Sequence, residues 1–153
     1  MEYQQFKQQW EQKWGKSELG AIKAFLIGVI EYLEDEDKGN KMIALTLPKN
    51  YLLNDGTPGR NAFLEYFKKD KGNCAKSYLG GTPDNNYHYQ YDFPLDLETN
   101  SEQGEWESKI FIRSGGKDNP SPVHLKKNQD GYWKLFNVSS LATGVKKNDR
   151  RDF

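Results

Sequence analysis

Five consecutive residues, Arg113, Ser114, Gly115, Gly116 and Lys117, carry the groups that hold a phosphate: a guanidinium, a hydroxyl, two glycines and an ammonium. Fixed-charge donors on a backbone without Cβ atoms can surround an anion at close range. The surrounding stretch IFIRSGGKDNPSP (110–122) nevertheless departs from the phosphate-binding loop G-x-x-x-x-G-K-[ST]. The earlier glycine is missing, and Asp118 follows the lysine where Ser or Thr is required. Such a loop must also open a helix whose N-terminus holds the phosphate, and Pro120 and Pro122 forbid one here. The glycines supply turn conformations, Asp118 and Asn119 favour turns, and Pro120 fixes the exit, so the stretch is expected to join two strands. Arg113, Ser114, Gly115, Gly116 and Lys117 then stand as candidates for ligand or anion binding, with Arg113, Ser114 and Lys117 exposed at the rim of the turn.

Other reactive residue types form no chemical set. His88 and His124 are the two histidines, too few for a three-histidine zinc site, and no ligand spacing ties them to Asp92 or Cys74. No metal and no cofactor is therefore expected. No G-x-S-x-G elbow presents Ser114 or Ser139 as a nucleophile for His124. Carboxylate pairs such as Asp92 with Asp96 arise without purpose in a chain that is 29% charged. Cys74 is the single cysteine, which excludes an intramolecular disulfide, and beside Ala75 it reads as structural rather than nucleophilic. No catalytic residue is assigned, and an enzymatic role is not favoured. Tyr87, Tyr89, Tyr91, Trp106 and Trp133 are candidates for a pocket or partner surface, since aromatic faces stack on ligands as readily as they fill a helix–sheet interface.

These residues depend on the elements that carry them. Tyr3, Phe6, Trp10 and Trp14, spaced by three and four, make one stripe of an amphipathic helix over residues 2–14, expected to pack into the core. Ser17 reads as the N-cap of a second helix whose apolar residues from Leu19 to Leu33 nearly encircle it, as a central buried helix requires. The acidic run Glu34–Asp37 begins a loop or caps the following segment, and MIALTL (42–47) fits helix or strand until Pro48 ends it. Asn54–Gly59 is a loop by composition, and Asn61 caps a third helix reaching about Lys71.

After residue 75 the period changes from helical to alternating. Tyr87, Tyr89, Tyr91 and Phe93 predict a first strand; a second spans Trp106 to Arg113, a third Val123 to Lys127 and a fourth Tyr132 to Ser139. Asp130-Gly131 joins the last two as a hairpin. The Gly-rich SYLGGTP (77–83) connects the halves and would line the mouth of any pocket between helices and sheet. Helices first and strands afterwards predict an α+β fold, with N-terminal helices packed on one face of a curved four-stranded antiparallel sheet.

At 153 residues the chain fits a single domain, 1–153, divided into an N-terminal aromatic helix (1–16), a helical part (17–75), an antiparallel sheet (76–145) and a basic tail (146–153). Only 35% of residues are hydrophobic, but 14% are aromatic, and such large side chains compensate in the core. Lysine plus arginine equals aspartate plus glutamate at 22 each, which argues against a general nucleic-acid binder. The cluster Lys126, Lys127, Lys146, Lys147, Arg150 and Arg151 reads as a solvated face. Zero net charge also removes one defence against self-association. MEYQQFKQQWEQKW shows no signal-peptide pattern, and the longest apolar run, Ala24 to Ile30, falls far short of the ~20 residues that span a bilayer. The expected compartment is the cytoplasm.

SYLGGTP (77–83), FIRSGGKDNPSPVHLKK (111–127) and GYWKLFNVSSLATGV (131–145) together resemble an uncharacterised bacterial domain family of unknown function. The likeness covers roughly residues 17–145, and RSGGKDNPSPV is its most specific part. It implies no activity and transfers no catalytic residue. A long helix feeding a meander that ends in G-x-W-K is also loosely similar in architecture to NTF2-like cones. The expected role is a non-enzymatic binding or accessory module engaging a protein partner; the alternative is a small-molecule or enzymatic pocket between helices and sheet.

Overall fold

The computed structural model describes residues 1–147; the arginines Arg150 and Arg151 of the expected basic tail lie outside them. Helix α1 (Tyr3–Gln12) buries Phe6 and Trp10. Phe6 meets Trp14 edge-on at 5.3 Å, and Trp10 stacks on Tyr132 at 6.1 Å, so the aromatic stripe joins the helical half to the far hairpin of the sheet. Helix α2 (Glu18–Glu34) starts where Ser17 Oγ accepts the Gly20 amide at 3.0 Å, and it is buried almost continuously from Ala21 to Tyr32. It is the central helix that its encircling apolar residues require.

The acidic run divides two helices. Asp35 ends α2, and its carboxylate accepts the Lys38 amide at 3.2 Å to start α3 (Glu36–Thr46). Glu36 and Asp37 thereby occupy a first turn, where the helix dipole favours them. MIALTL is mostly the end of this helix. Gly39 lets α3 cross close to α2, since a Cβ there would strike the backbone of Tyr32.

The third helix does not run unbroken from Asn61. A 3-10 turn (Arg60–Ala62) leads to Phe63 in the left-handed region, φ 56°, which breaks the helix before α4 (Leu64–Lys69); α5 (Asn73–Lys76) follows. The sheet is antiparallel in the order β1 (Glu102–Gln103), β2 (Glu107–Ile112), β3 (Ser121–Lys127), β4 (Trp133–Asn137). Ile110, Ile112, Val123, Leu125, Trp133 and Leu135 point to the helices and are buried with them in one core. A register shift between His124 and Leu125 bends β3 against β4.

The segment Tyr87–Phe93 is not the first strand. Asn86 and Tyr87 take positive φ values of 58° and 54°, the Tyr87 amide turns back to the Thr82 carbonyl at 2.8 Å, and the Phe93 amide to Gln90 at 3.1 Å. Its alternating aromatics serve separate contacts on a winding connection, and β1 is instead the two-residue Glu102–Gln103. The four-stranded α+β arrangement stands with that substitution, and the sheet does not close. Among the described residues no helix is long and apolar enough to cross a membrane.

Candidate functional site

The two Gly-rich motifs meet. The Gly115 amide donates to the Ser77 carbonyl at 2.7 Å, Ser114 Oγ donates to Ser77 Oγ at 2.7 Å, and a Cβ on Gly115 would run into the Gly81 carbonyl oxygen. The Gly116 amide is taken by Ser114 Oγ at 3.0 Å. Both glycine amides of the anion reading thus already have internal acceptors, and Arg113 is ion-paired with Glu98.

Lys117 is not at the rim. Its side chain turns under the loop, and Nζ donates to Ser121 Oγ at 2.6 Å and to the Ser140 carbonyl at 2.8 Å. Ser121 is fully buried and shares a 2.6 Å hydrogen bond with the Tyr78 hydroxyl. Burial pulls the Lys117 ammonium below its ordinary pKa and pushes the Tyr78 phenol above its own. Arg113, Ser114 and Gly115 border a cleft of about 440 Å³ with Phe93 and Asp96, and Gly116 and Lys117 do not line it.

Cys74 is buried at the base of the same loops. Burial, then the neighbouring Asp70 carboxylate, pushes its thiol up to about 12, so it stays protonated and is no nucleophile.

The five aromatic candidates do not converge. Tyr87 is buried and its hydroxyl donates to the Lys146 carbonyl. Tyr89 and Tyr91 lie 5.7 Å apart, and the Tyr91 hydroxyl donates to Glu31 at 2.5 Å. Burial alone would raise the Glu31 carboxyl, but hydrogen bonds from Tyr91, Lys38 and the Met1 amino group outweigh it and hold the pKa below the usual range. Trp133 is in the core, whereas Trp106 is 55% exposed with Lys127 Nζ 5.3 Å from its ring centre.

A cleft of about 640 Å³ is built by a part of the chain whose sequence reads only as loop and helix. Pro48 and a 3-10 turn (Lys49–Tyr51) leave α3 and enter a tight loop. Leu53 donates its amide to the Thr57 carbonyl at 2.8 Å, and Asp55 Oδ1 accepts from the Thr57 amide at 3.0 Å and its hydroxyl at 2.6 Å. These bonds fix the loop so that Leu53 projects into solvent, 57% exposed. Across the cleft the left-handed Phe63 re-aims the chain into α4, with Tyr66 47% exposed. Tyr32 and Asn40 form part of the lining, with Arg60, Asn61 and Glu65 as its polar groups. The exposure of Leu53 and the bend at Phe63 follow from backbone geometry, for which the local residues carry no recognisable motif.

The family model described as Domain of unknown function (DUF6935) matches residues 1–149. The chain belongs to this family. No curated protein and no solved structure matches it significantly. The membership agrees with the motif resemblance, and the function of this DUF6935 domain has to rest on its own geometry. Among its described residues no three His, Cys, Asp or Glu side chains gather as metal ligands. His124 instead meets Glu107 at 2.5 Å on the sheet surface, and the His88 amide donates to Asn85 at 3.0 Å.

Proposed function

We propose that this DUF6935 domain is a non-enzymatic, cytoplasmic binding module that engages a protein partner through the cleft between the Leu53–Pro58 loop and α4. One observation carries the reading: Leu53 and Tyr66, two of the four large hydrophobic side chains exposed among the described residues, both line this cleft. Full burial of a leucine side chain gains about 1.5–3 kcal/mol, so leaving one fixed in water on an ordered loop favours a surface that is covered by something else. Asn40, Arg60, Asn61 and Glu65 supply the polar rim that surrounds the apolar centre of a protein interface.

A second reading has its own support. About 640 Å³ lies within the usual range for small-molecule sites, and Arg60 with two amides could hold a carboxylate beside an aromatic wall. This is not the pocket expected between helices and sheet, because that interface is filled by side chains such as Phe25, Leu26, Ile110 and Leu125.

A photo-cross-linking residue at position 53 or 66, in cells that make the protein, should capture the same protein, and one at position 106 should not. Leu53→Asp should abolish capture from position 66 while shifting stability by no more than about 0.5 kcal/mol, as expected for a surface site. Failure to capture a common protein from positions 53 and 66 would remove the partner reading. A small molecule retained by the purified wild type and lost in Arg60→Ala would favour the second.

A further inference from the structure

The outer face of the sheet carries a lysine cluster that the whole-chain charge conceals. Burial alternates along the strands, turning Lys109 and Phe111 of β2, His124 and Lys126 of β3, and Lys134 and Phe136 of β4 away from the core. Lys126 and Lys134 are direct cross-strand partners, a like-charge pairing that disfavours the sheet. Lys49, from the turn after Pro48, adds a third ammonium close enough to repel Lys134. With Lys127 they line one cleft of about 470 Å³, together with Phe136.

None of the four lysines has a carboxylate within 4 Å among the described residues; Asp130 is the one acid that lines the cleft. Three of the ammoniums, those of Lys126, Lys127 and Lys134, lie over aromatic rings instead. Lys126 lies 4.8 Å from the Phe136 ring centre, and Lys127 lies 5.3 Å from both Trp106 and Trp133. Lys134 reaches the Leu45 carbonyl at 2.6 Å and the Trp10 ring at 5.3 Å. Glu107 of β2 is the cross-strand partner of Lys126, but its carboxylate turns to His124 at 2.5 Å.

We infer that this end of the sheet binds single-stranded nucleic acid, with phosphates on Lys49, Lys126, Lys127 and Lys134 and a base stacked on Trp106, which extends β2 opposite Lys127 on the core-facing side of the strand end. Four ammoniums without carboxylates call for an anion. The 55% exposed indole beside Lys127 offers stacking that an acidic peptide would not use. An open strand end with an exposed indole suits unstacked bases better than a duplex groove. The neutral whole-chain charge argues only against long-range attraction, whereas contacts within the Debye length of about 8–10 Å depend on the local field.

Fluorescence anisotropy of the full chain with a labelled oligothymidylate or oligouridylate tests this. Three or four phosphate contacts predict affinity that falls about 20–50-fold between about 50 and 200 mM salt. The double variant Lys49→Gln/Lys126→Gln, both side chains being exposed, should flatten the salt slope by about 1.4 log units per log unit. Trp106→Ala should weaken binding about tenfold or more at fixed salt. Lys7→Gln, on α1, should change neither. Absence of binding at low salt, displacement by polyglutamate as effective as by unlabelled oligonucleotide, or an unaffected Trp106→Ala variant would each overturn the inference. Binding of thymidine monophosphate without any gain for the oligomer would overturn it as well.

Discussion

The ammonium of Lys117 donates across 2.6 Å to the hydroxyl of Ser121, four residues ahead on β3. With its second bond to the Ser140 carbonyl, it ties the β2–β3 connection to the C-terminal segment from inside. Lys117→Met fills the space but leaves the Ser140 carbonyl without this donor, and should destabilise the fold by about 1–3 kcal/mol in urea titrations.

The same lysine predicts a pH effect. Its folded pKa is lowered from 10.5 by burial, so over the interval between the folded and unfolded values the unfolded chain holds more protons. Stability from this group therefore rises with pH as the folded pKa is passed, up to about 10.5. Buried tyrosines act oppositely, because their raised pKa values favour unfolding as the unfolded phenol ionises. The wild-type-minus-Lys117→Met difference isolates the lysine, and a difference independent of pH in the alkaline range would refute its placement.

Glu31 governs the acid side. Its folded pKa is depressed, so its contribution is complete above the unfolded value of 4.5 and fades as pH falls below it. Tyr91→Phe removes the 2.5 Å donor and Lys38→Gln the 2.9 Å ion pair. Each variant should lose less stability than wild type on acidification from neutral pH, read from denaturant midpoints. An acid profile identical to wild type in both variants would contradict this account.

Gly115→Ala should destabilise the domain by about 1–3 kcal/mol, because its Cβ would push against backbone rather than a movable side chain. Urea midpoints equal to wild type would show that the two Gly-rich loops are not locked together.

Cys74 should be inert in the folded state. With its thiol at about 12 and its side chain buried, Ellman's reagent at pH 8 should react only as fast as the protein opens, and at once in denaturant. Immediate labelling of the native protein would place the sulfur at the surface.

Local patterns that coincide with a single physical demand were legible. The stripe Tyr3–Trp14, the Ser17 cap and the encircled helix ending near Leu33 each specify burial, and the structure places them accordingly. The strands expected from alternation over 106–113, 123–127 and 132–139 form over 107–112, 121–127 and 133–137, and Asp130-Gly131 lies between the last two. The tyrosine run at 87–93 has the same alternation, yet a positive φ at Asn86 and Tyr87 takes it out of the sheet, and its hydroxyls bind Glu31 and a carbonyl instead. Alternation records which side chains are amphipathic, not which backbone groups find a ladder partner.

The candidate surfaces were less legible because they join segments far apart in the chain. Lys126 and Lys127 were visible as a basic pair, but Lys49 and Lys134 reach them only through the meeting of the post-Pro48 turn with β4. Lys117 was visible as a charge, and its inward direction depends on the Ser140 carbonyl more than twenty residues later, at a separation of 23. Leu53 carried no signal beyond its apolar type.

The brevity of β1 has a bearing on solubility. With as many acidic as basic residues and an isoelectric point near 6.7, the protein has little net repulsion between copies at neutral pH. Strand-by-strand growth needs a long open ladder, and on one side of the sheet the outermost strand offers two residues, Glu102 and Gln103. On the other, Tyr51 occupies the Phe136 carbonyl at 3.0 Å. At the β1 border, brevity takes over the protective role that like charge plays in other proteins.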